Sequence, residues 1–261
     1  MKIKIYQVDA FTDTIFKGNP AAVCPLEEWL DDDILLRIAK ENNLSETAFY
    51  VRRAAAIEIR WFTPNTEVDL CGHATLATAF VLHQYEDFSD NTIPFHSPRS
   101  GTLPVTVQRD KYVLDFPADQ FSPVGMTAEL LMATDKVPIA AYKGKTDFML
   151  VFKDQEDIAT LEPRLQTIAN LDARGVIVTA KGVDSDFVSR FFAPAVGVNE
   201  DPVTGSAHTT LIPYWAAQMA KTEFLARQLS ERSGELQCRL LNNRVNISGR
   251  AVLYMQGEIM I

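Results

Sequence analysis

Two stretches of the chain are apolar on every side at helical spacing, and around them run short segments in which apolar and polar residues alternate. From Cys71 to Tyr85, Ala74, Leu76, Ala77, Ala79, Phe80, Val81 and Leu82 leave almost no polar face, and a helix apolar all round is a buried one. Ser206 to Ala220 predicts a second such helix, in which Pro213 should produce a kink or mark an offset start because proline has no amide to donate. Period-two alternation predicts strands over 2–11, 21–24, 44–51 with a hairpin partner at 57–62, then 92–96, 102–108 and 112–116. The second half repeats the mixture at 139–142, 148–152, 175–179 and 187–192. The tail from Glu235 to Ile261 reads as antiparallel hairpins turning at Asn242-Asn243, Ser248-Gly249 and Gln256-Gly257. One amphipathic helix is expected over 31–43, its aspartate-rich start suited to the positive end of the helix dipole. Residues 117–125, with two prolines, a glycine and little periodicity, are the expected hinge.

The two apolar helices are preceded by similar segments. Arg60-Trp61-Phe62-Thr63-Pro64 leads through Asp69 to Cys71-Gly72-His73-Ala74, and Arg190-Phe191-Phe192-Ala193-Pro194 leads through Asp201 to Gly205-Ser206-Ala207. The arginines are 130 residues apart (190 − 60) and the glycines 133 (205 − 72), so the halves match with a three-residue insertion. The pattern predicts an α+β fold of two similar halves, 1–117 around a central helix at 72–86 and 118–261 around one at 205–220. Each half is expected to be a curved, mostly antiparallel sheet wrapped around its helix, with the C-terminal strand able to return to the first half and an active cleft between the halves. Helix N-termini at Gly72 and Gly205 would offer unpaired amides and positive dipole ends to an anion.

Charge and cysteine usage narrow the partners. With 34 acidic against 25 basic residues, a net charge of −9 leaves no global positive field for nucleic acid. No stretch reaches the ~18 apolar residues of a membrane span, and the start alternates charge with β-branched residues instead of forming a leader. Three cysteines, Cys24, Cys71 and Cys238, suit a reducing cytoplasm better than a disulfide framework. Four histidines without His-Glu-x-x-His spacing, and cysteines without Cys-x-x-Cys, point to no metal site.

On the residues alone, each candidate for chemistry has an ordinary alternative. Glu46 reads either as a solvated glutamate at a strand entrance or as a proton-transfer base, shielded enough to raise its pKa toward neutrality. Asp201 in Asp-Pro is a turn and helix-start signal as well as a candidate second acid. His73 at a helix start can cap, pack or contact a substrate carboxylate. Ser206 reads as an N-terminal helix cap, since no Gly-x-Ser-x-Gly elbow surrounds it, and Ser206 with His208 cannot form a hydrolase pair because two residues along a helix their side chains point about 200° apart.

Taken in order, Gly18-Asn19-Pro20, Asn42-Asn43-Leu44-Ser45-Glu46-Thr47-Ala48-Phe49, Asp69-Leu70-Cys71-Gly72-His73-Ala74-Thr75 and Glu200-Asp201-Pro202-Val203-Thr204-Gly205-Ser206-Ala207 resemble the phenazine-biosynthesis PhzF-type isomerases over nearly the whole chain. The resemblance implies a diaminopimelate-epimerase-like fold and cofactor-free proton transfer on a small carboxylic acid, with a homodimer as the expected assembly. It implies Glu46 as the catalytic acid/base, His73 and Asp201 as further catalytic positions, and Asn19, Ser45, Gly72, Gly205 and Ser206 as substrate-binding positions. The segment 208–215 resembles a branch of that family whose members mostly lack an assigned substrate. Two-thiol racemases of this fold take a cysteine from each half; Cys71 stands where the first would be and the second half has none, which leaves Cys71 as a small packing residue. The alternative to an isomerase is a non-catalytic small-acid-binding or interaction protein that retains the fold.

Overall fold

Strands dominate the computed structural model, which describes residues 1–261. From the N-terminus run β1 (Lys2–Ala10), β2 (Asn19–Leu26), α1 (Asp32–Asn42), β3 (Glu46–Arg52), β4 (Ile57–Phe62), β5 (Glu67–Val68), α2 (Gly72–Tyr85), β6 (Thr92–Ser97), β7 (Gly101–Gln108) and β8 (Lys111–Pro117). There follow β9 (Ser122–Pro123), α3 (Ala128–Leu131), β10 (Ala140–Lys143), β11 (Asp147–Val151), α4 (Gln155–Thr160), α5 (Leu165–Ala169), β12 (Gly175–Lys181) and β13 (Phe187–Phe192). The chain ends with α6 (Gly205–Met219), β14 (Glu223–Gln228), β15 (Gly234–Leu241), β16 (Arg244–Gly249) and β17 (Ala251–Met260). Contacts divide it into two units: Met1–Asp115 with Ser248–Ile261, and Phe116–Ile247. No helix is long and apolar enough to cross a membrane.

In the first unit β1 pairs antiparallel with β2 and with β17, β3 with β4, β6 with β7, and β7 with β8. Two pairs are parallel, β2 with β3 across α1 and β4 with β6 across α2, as expected where a helix intervenes between strands. Helix α2 has Ala74, Leu76, Ala77, Ala79, Val81 and Leu82 fully buried and packs on β1, β2, β3 and β17. Burying a side chain such as Leu76 or Leu82 stabilises the unit by roughly 1.5–3 kcal/mol each. Helix α1 stops where Asn43 adopts φ 50° and its amide donates to the Ala39 carbonyl, a left-handed cap that asparagine tolerates.

The second unit uses the same wiring. β12 and β13 are antiparallel, β11 and β12 are parallel across α4 and α5, and β13 and β14 are parallel across α6. The sheets are therefore mixed, mostly antiparallel, with parallel pairs where helices intervene. Pro213 lies inside α6 and does not start it; the Thr209 carbonyl that would have received its missing amide accepts from Asp119 N–H at 3.1 Å instead. The 117–125 segment is thus tied down within this unit, by that bond, by Ala118 N–H to the Asn243 carbonyl at 2.9 Å and by Val124 N–H to the Ala141 carbonyl at 3.0 Å.

One expectation needs correction, and several short elements leave no pattern to read. Gln256-Gly257 is not a turn: β17 runs through it because β1 pairs with it, Ile5 lying opposite Gly257. The helices α3, α4 and α5 are four to six residues long, too short to set up an apolar periodicity. Strand β14, which is partly charged, has no clear alternation in the sequence, yet its inward residues Phe224, Ala226 and Gln228 are buried.

Candidate functional site

The first unit builds a cluster from the starts of three elements. Gly18 has φ 65°, and a Cβ there would lie 2.2 Å from the Ala10 carbonyl oxygen, so only glycine lets the chain turn tightly enough to bring Asn19 into register with Ala10. Asn19 is fully buried and donates Nδ2–H to His73 Nδ1 at 3.2 Å. The parallel register of β2 and β3 sets Glu46 beside Ala21, with its side chain 17% exposed. Its Oε2 lies 3.2 Å from His73 Nε2. Cys71 is the N-cap residue of α2, without a side-chain cap bond; its Sγ lies 3.5 Å from His73 Nδ1 and 4.0 Å from Nε2. Thr75 anchors the turn by donating Oγ1–H to the Cys71 carbonyl at 2.6 Å.

Burial pushes the His73 imidazole down to about 3, so near neutrality its contact with Glu46 is a hydrogen bond from a neutral ring and not an ion pair. With Nδ1 receiving the Asn19 amide, the ring proton is assigned to Nε2, which donates to the Glu46 carboxylate. Glu46 is therefore a partly shielded carboxylate held at the N-terminus of a 14-residue helix, whose first amides have no partner within the helix. Gly72 is the first residue of that helix. Ser45 immediately precedes β3 and is half-buried.

The second unit arranges Asp201, Gly205 and Ser206 differently. Thr204, not Ser206, is the N-cap residue of α6; Ser206 lies two residues past the cap position, as the second residue of the helix, and it is exposed. Its Oγ accepts from Arg174 Nη2 at 3.1 Å, while Arg174 is held by buried Asp147, with Nε donating to Oδ1 at 2.9 Å. Asp201 accepts from the Thr204 hydroxyl at 2.5 Å. Buried Gln228 clasps this turn, accepting from Thr204 N–H at 2.8 Å and donating to the Asp201 carbonyl at 2.7 Å. Gly205 is buried at the first turn of the helix. His208 is fully buried with Nδ1 on the Thr204 carbonyl at 2.8 Å, far from any role with exposed Ser206. Arg174, Asp147 and Gln228 have no motif of their own in the sequence; strand register alone reveals them.

That register also resolves the duplication. Arg60 grips Glu67 with Nε at 2.7 Å and Nη2 at 2.9 Å, and Arg190 grips Glu200 at the same 2.7 and 2.9 Å. The guanidinium carbons stand 5.1 Å over Phe62 and 5.0 Å over Phe192. Since 200 − 67, 204 − 71 and 206 − 73 all equal 133, the duplicated acid is Glu67 with Glu200, and not Asp69 with Asp201. Cys71 then corresponds to Thr204 and His73 to Ser206. Phe49 faces Arg60 as Val178 faces Arg190, so the same offset, 178 − 49 = 129, sets Gly175 where Glu46 stands and Arg174 where Ser45 stands. A Cβ at Gly175 would lie 2.6 Å from the Phe192 carbonyl oxygen. The repeat thus keeps its scaffold and differs in its chemistry: the acid, imidazole and thiol belong to the first unit alone.

The family model described as phenazine biosynthesis-like protein matches residues 8–257. An uncharacterized isomerase of Pseudomonas aeruginosa is 51% identical over 259 residues, covering 99% of both chains. The crystal structure of a PhzF-family phenazine biosynthesis protein from Enterococcus faecalis superposes with a TM-score of 0.97 at 47% identity, covering both chains completely. A hydroxyproline epimerase from Agrobacterium vitis, at 9% identity and a TM-score of 0.65 over 99% of this chain and 92% of its own, shares the fold. The coverage, the identity and the ordered motifs agree: this chain belongs to the phenazine biosynthesis-like, PhzF family.

Proposed function

We propose that the protein is a cofactor-independent isomerase that moves a proton on a small carboxylic acid, with Glu46 as the acid/base. The observation that carries the reading is the Glu46–His73–Asn19 chain, a carboxylate backed by a buried neutral imidazole whose tautomer is set by a buried amide. The relatives named as isomerases support the reaction class.

The Glu46 carboxylate takes a proton from an activated carbon of the substrate. The C–H electron pair passes into the adjacent unsaturated or carboxylate system, and the new Glu46 O–H returns the proton to a second carbon, or a second acid delivers one to the opposite face. His73 Nε2–H supports the carboxylate without competing for the proton, because its own charged form is disfavoured by burial. Negative charge developing on the substrate is stabilised by the amides at Gly72 and His73 and by the positive end of α2. Asn19 holds the imidazole, and Ser45 contacts the substrate at the entrance of β3. Gly205 and Ser206 are proposed as the anion-binding positions of the second unit, and Asp201 as its acid. A symmetric two-thiol mechanism has no counterpart thiol, since Thr204 stands where Cys71 does.

The test is deuterium uptake from heavy water into a panel of small unsaturated and amino-bearing acids. Exchange at one carbon that depends on the protein supports the reading; saturable binding of the acids without exchange of any of them would favour a binding protein.

A further inference from the structure

The three chemically active side chains of the first unit also match the requirements of a metal. Glu46, Cys71 and His73 each offer one ligand atom, and these atoms lie within 4.8 Å of one another. Nε2 is 3.2 Å from Glu46 Oε2 and 4.0 Å from Cys71 Sγ. The edges of a tetrahedral zinc site with oxygen, nitrogen and sulfur ligands are roughly 3.4–3.6 Å, from the usual bond lengths of 2.0–2.3 Å. The Nε2–Oε2 separation already matches such an edge to within a few tenths of an ångström, Nε2–Sγ is about half an ångström too long, and the third edge, bounded by 4.8 Å, closes by up to roughly 1.3 Å through rotation of the Glu46 and Cys71 side chains. No sequence spacing announces this set, because Glu46 opens a strand and the other two residues open a helix.

We propose that Glu46, Cys71 and His73 form an open, three-ligand zinc site, and that Zn²⁺ taken up there withdraws Glu46 from proton transfer. Thiolate and imidazole together select zinc over magnesium or calcium, and three protein ligands leave the fourth position to water. One carboxylate and one thiolate offset the charge of the ion, so the buried cluster is neutral when loaded. Loading is balanced: the Cys71 thiol gives one proton to solvent as the S–Zn bond forms, and the imidazole exchanges its Nε2 proton for one on Nδ1 so that the Nε2 lone pair faces the ion. Asn19 suits both tautomers, because rotating its amide presents the carbonyl in place of the NH₂ to Nδ1. The second unit provides an internal contrast, with Gly175, Thr204 and Ser206 at the corresponding positions and no ligand set, so one ion per chain is expected.

Binding rests on geometry and stands apart from the isomerase reading; only its inhibitory consequence rests on that reading. Metal-free full-length protein is titrated with Co²⁺ alone, and then with Zn²⁺ against a chromophoric chelator. One Co²⁺ per chain with an intense thiolate-to-cobalt absorption, displaced by Zn²⁺, is expected. Cys71→Ser should remove the absorption, and Asn19→Ala should weaken Zn²⁺ by roughly 10- to 100-fold, the usual effect of losing a partner behind a ligand. Absence of the absorption in the wild-type protein, or its survival in Cys71→Ser, overturns the site. Suppression of deuterium exchange by Zn²⁺, reversed by a chelator, is expected next; undiminished exchange in protein shown to be loaded overturns the inhibition while leaving the proton-transfer activity standing, and exchange in Glu46→Gln then decides separately whether Glu46 carries the proton.

Discussion

Replacing Gly18 by alanine tests how the β1–β2 turn delivers Asn19 to His73. Two contributions add. A left-handed backbone at φ 65° costs a non-glycine residue roughly 1–2 kcal/mol. The new Cβ would also meet the Ala10 carbonyl oxygen at 2.2 Å and Thr12 Cγ2 at 2.7 Å; backbone cannot swing aside as a flexible side chain can, and overpacking of this kind costs about 1–3 kcal/mol. The sum is roughly 2–5 kcal/mol. Gly101 supplies the control, since its φ is 72° and a Cβ at that position would meet nothing within 4 Å, and Gly101→Ala should show the backbone contribution alone. At about 2–4 °C per kcal/mol for a chain of this size, Gly18→Ala should melt several degrees below Gly101→Ala. Calorimetry reads that difference. Ring ¹⁵N shifts should show His73 losing its fixed tautomer in Gly18→Ala only. Equal melting points for the two variants, with the His73 tautomer unchanged in both, would refute the argument.

Two further substitutions probe the second unit. Gln228→Leu should destabilise by roughly 2–4 kcal/mol, because the Thr204 amide and the Asp201 carbonyl lose their buried partner; a denaturant midpoint equal to that of the wild type would contradict the clasp. His208 is pushed down to about 4, chiefly by burial and against the opposing pull of the Thr204 carbonyl. Its unfolded form binds a proton near pH 6.5 and the native form does not, so stability is level above that pH and falls as pH drops from 6.5 to 4, by up to roughly 3 kcal/mol. His208→Gln should flatten that share of the acid-side slope, as read from midpoints across the window, and an unchanged slope would count against it.

The sequence makes some of this legible and hides the rest for physical reasons. Helix α2 is readable because its burial leaves no polar face, and the duplication because Arg60 and Arg190 each open a recognisable run. The residue pattern pairs Asp69 with Asp201 because nothing local distinguishes them from Glu67 and Glu200; only strand register shows which carboxylate an arginine meets. Ser206 passes for a cap by residue type, yet Thr204 holds the cap position and Ser206 is already the second residue of α6. Motifs single out Glu46 and His73 separately; their 3.2 Å approach is a product of the parallel β2–β3 pairing and the entry into α2. Arg174 is hidden in the sequence because it corresponds to Ser45, a residue of unlike chemistry.

The most direct measurement compares proton exchange in the wild-type protein and Glu46→Gln, on whichever acid the wild type labels, with affinity for that acid measured alongside. Glutamine keeps the shape and the His73 contact but cannot hold the proton. The exchange rate should fall by roughly 10²- to 10⁴-fold, the range for one acid/base group, while the affinity for the acid stays within a few-fold. Exchange in Glu46→Gln at the wild-type rate, with His73 and the fold intact, would contradict Glu46 as the group that carries the proton.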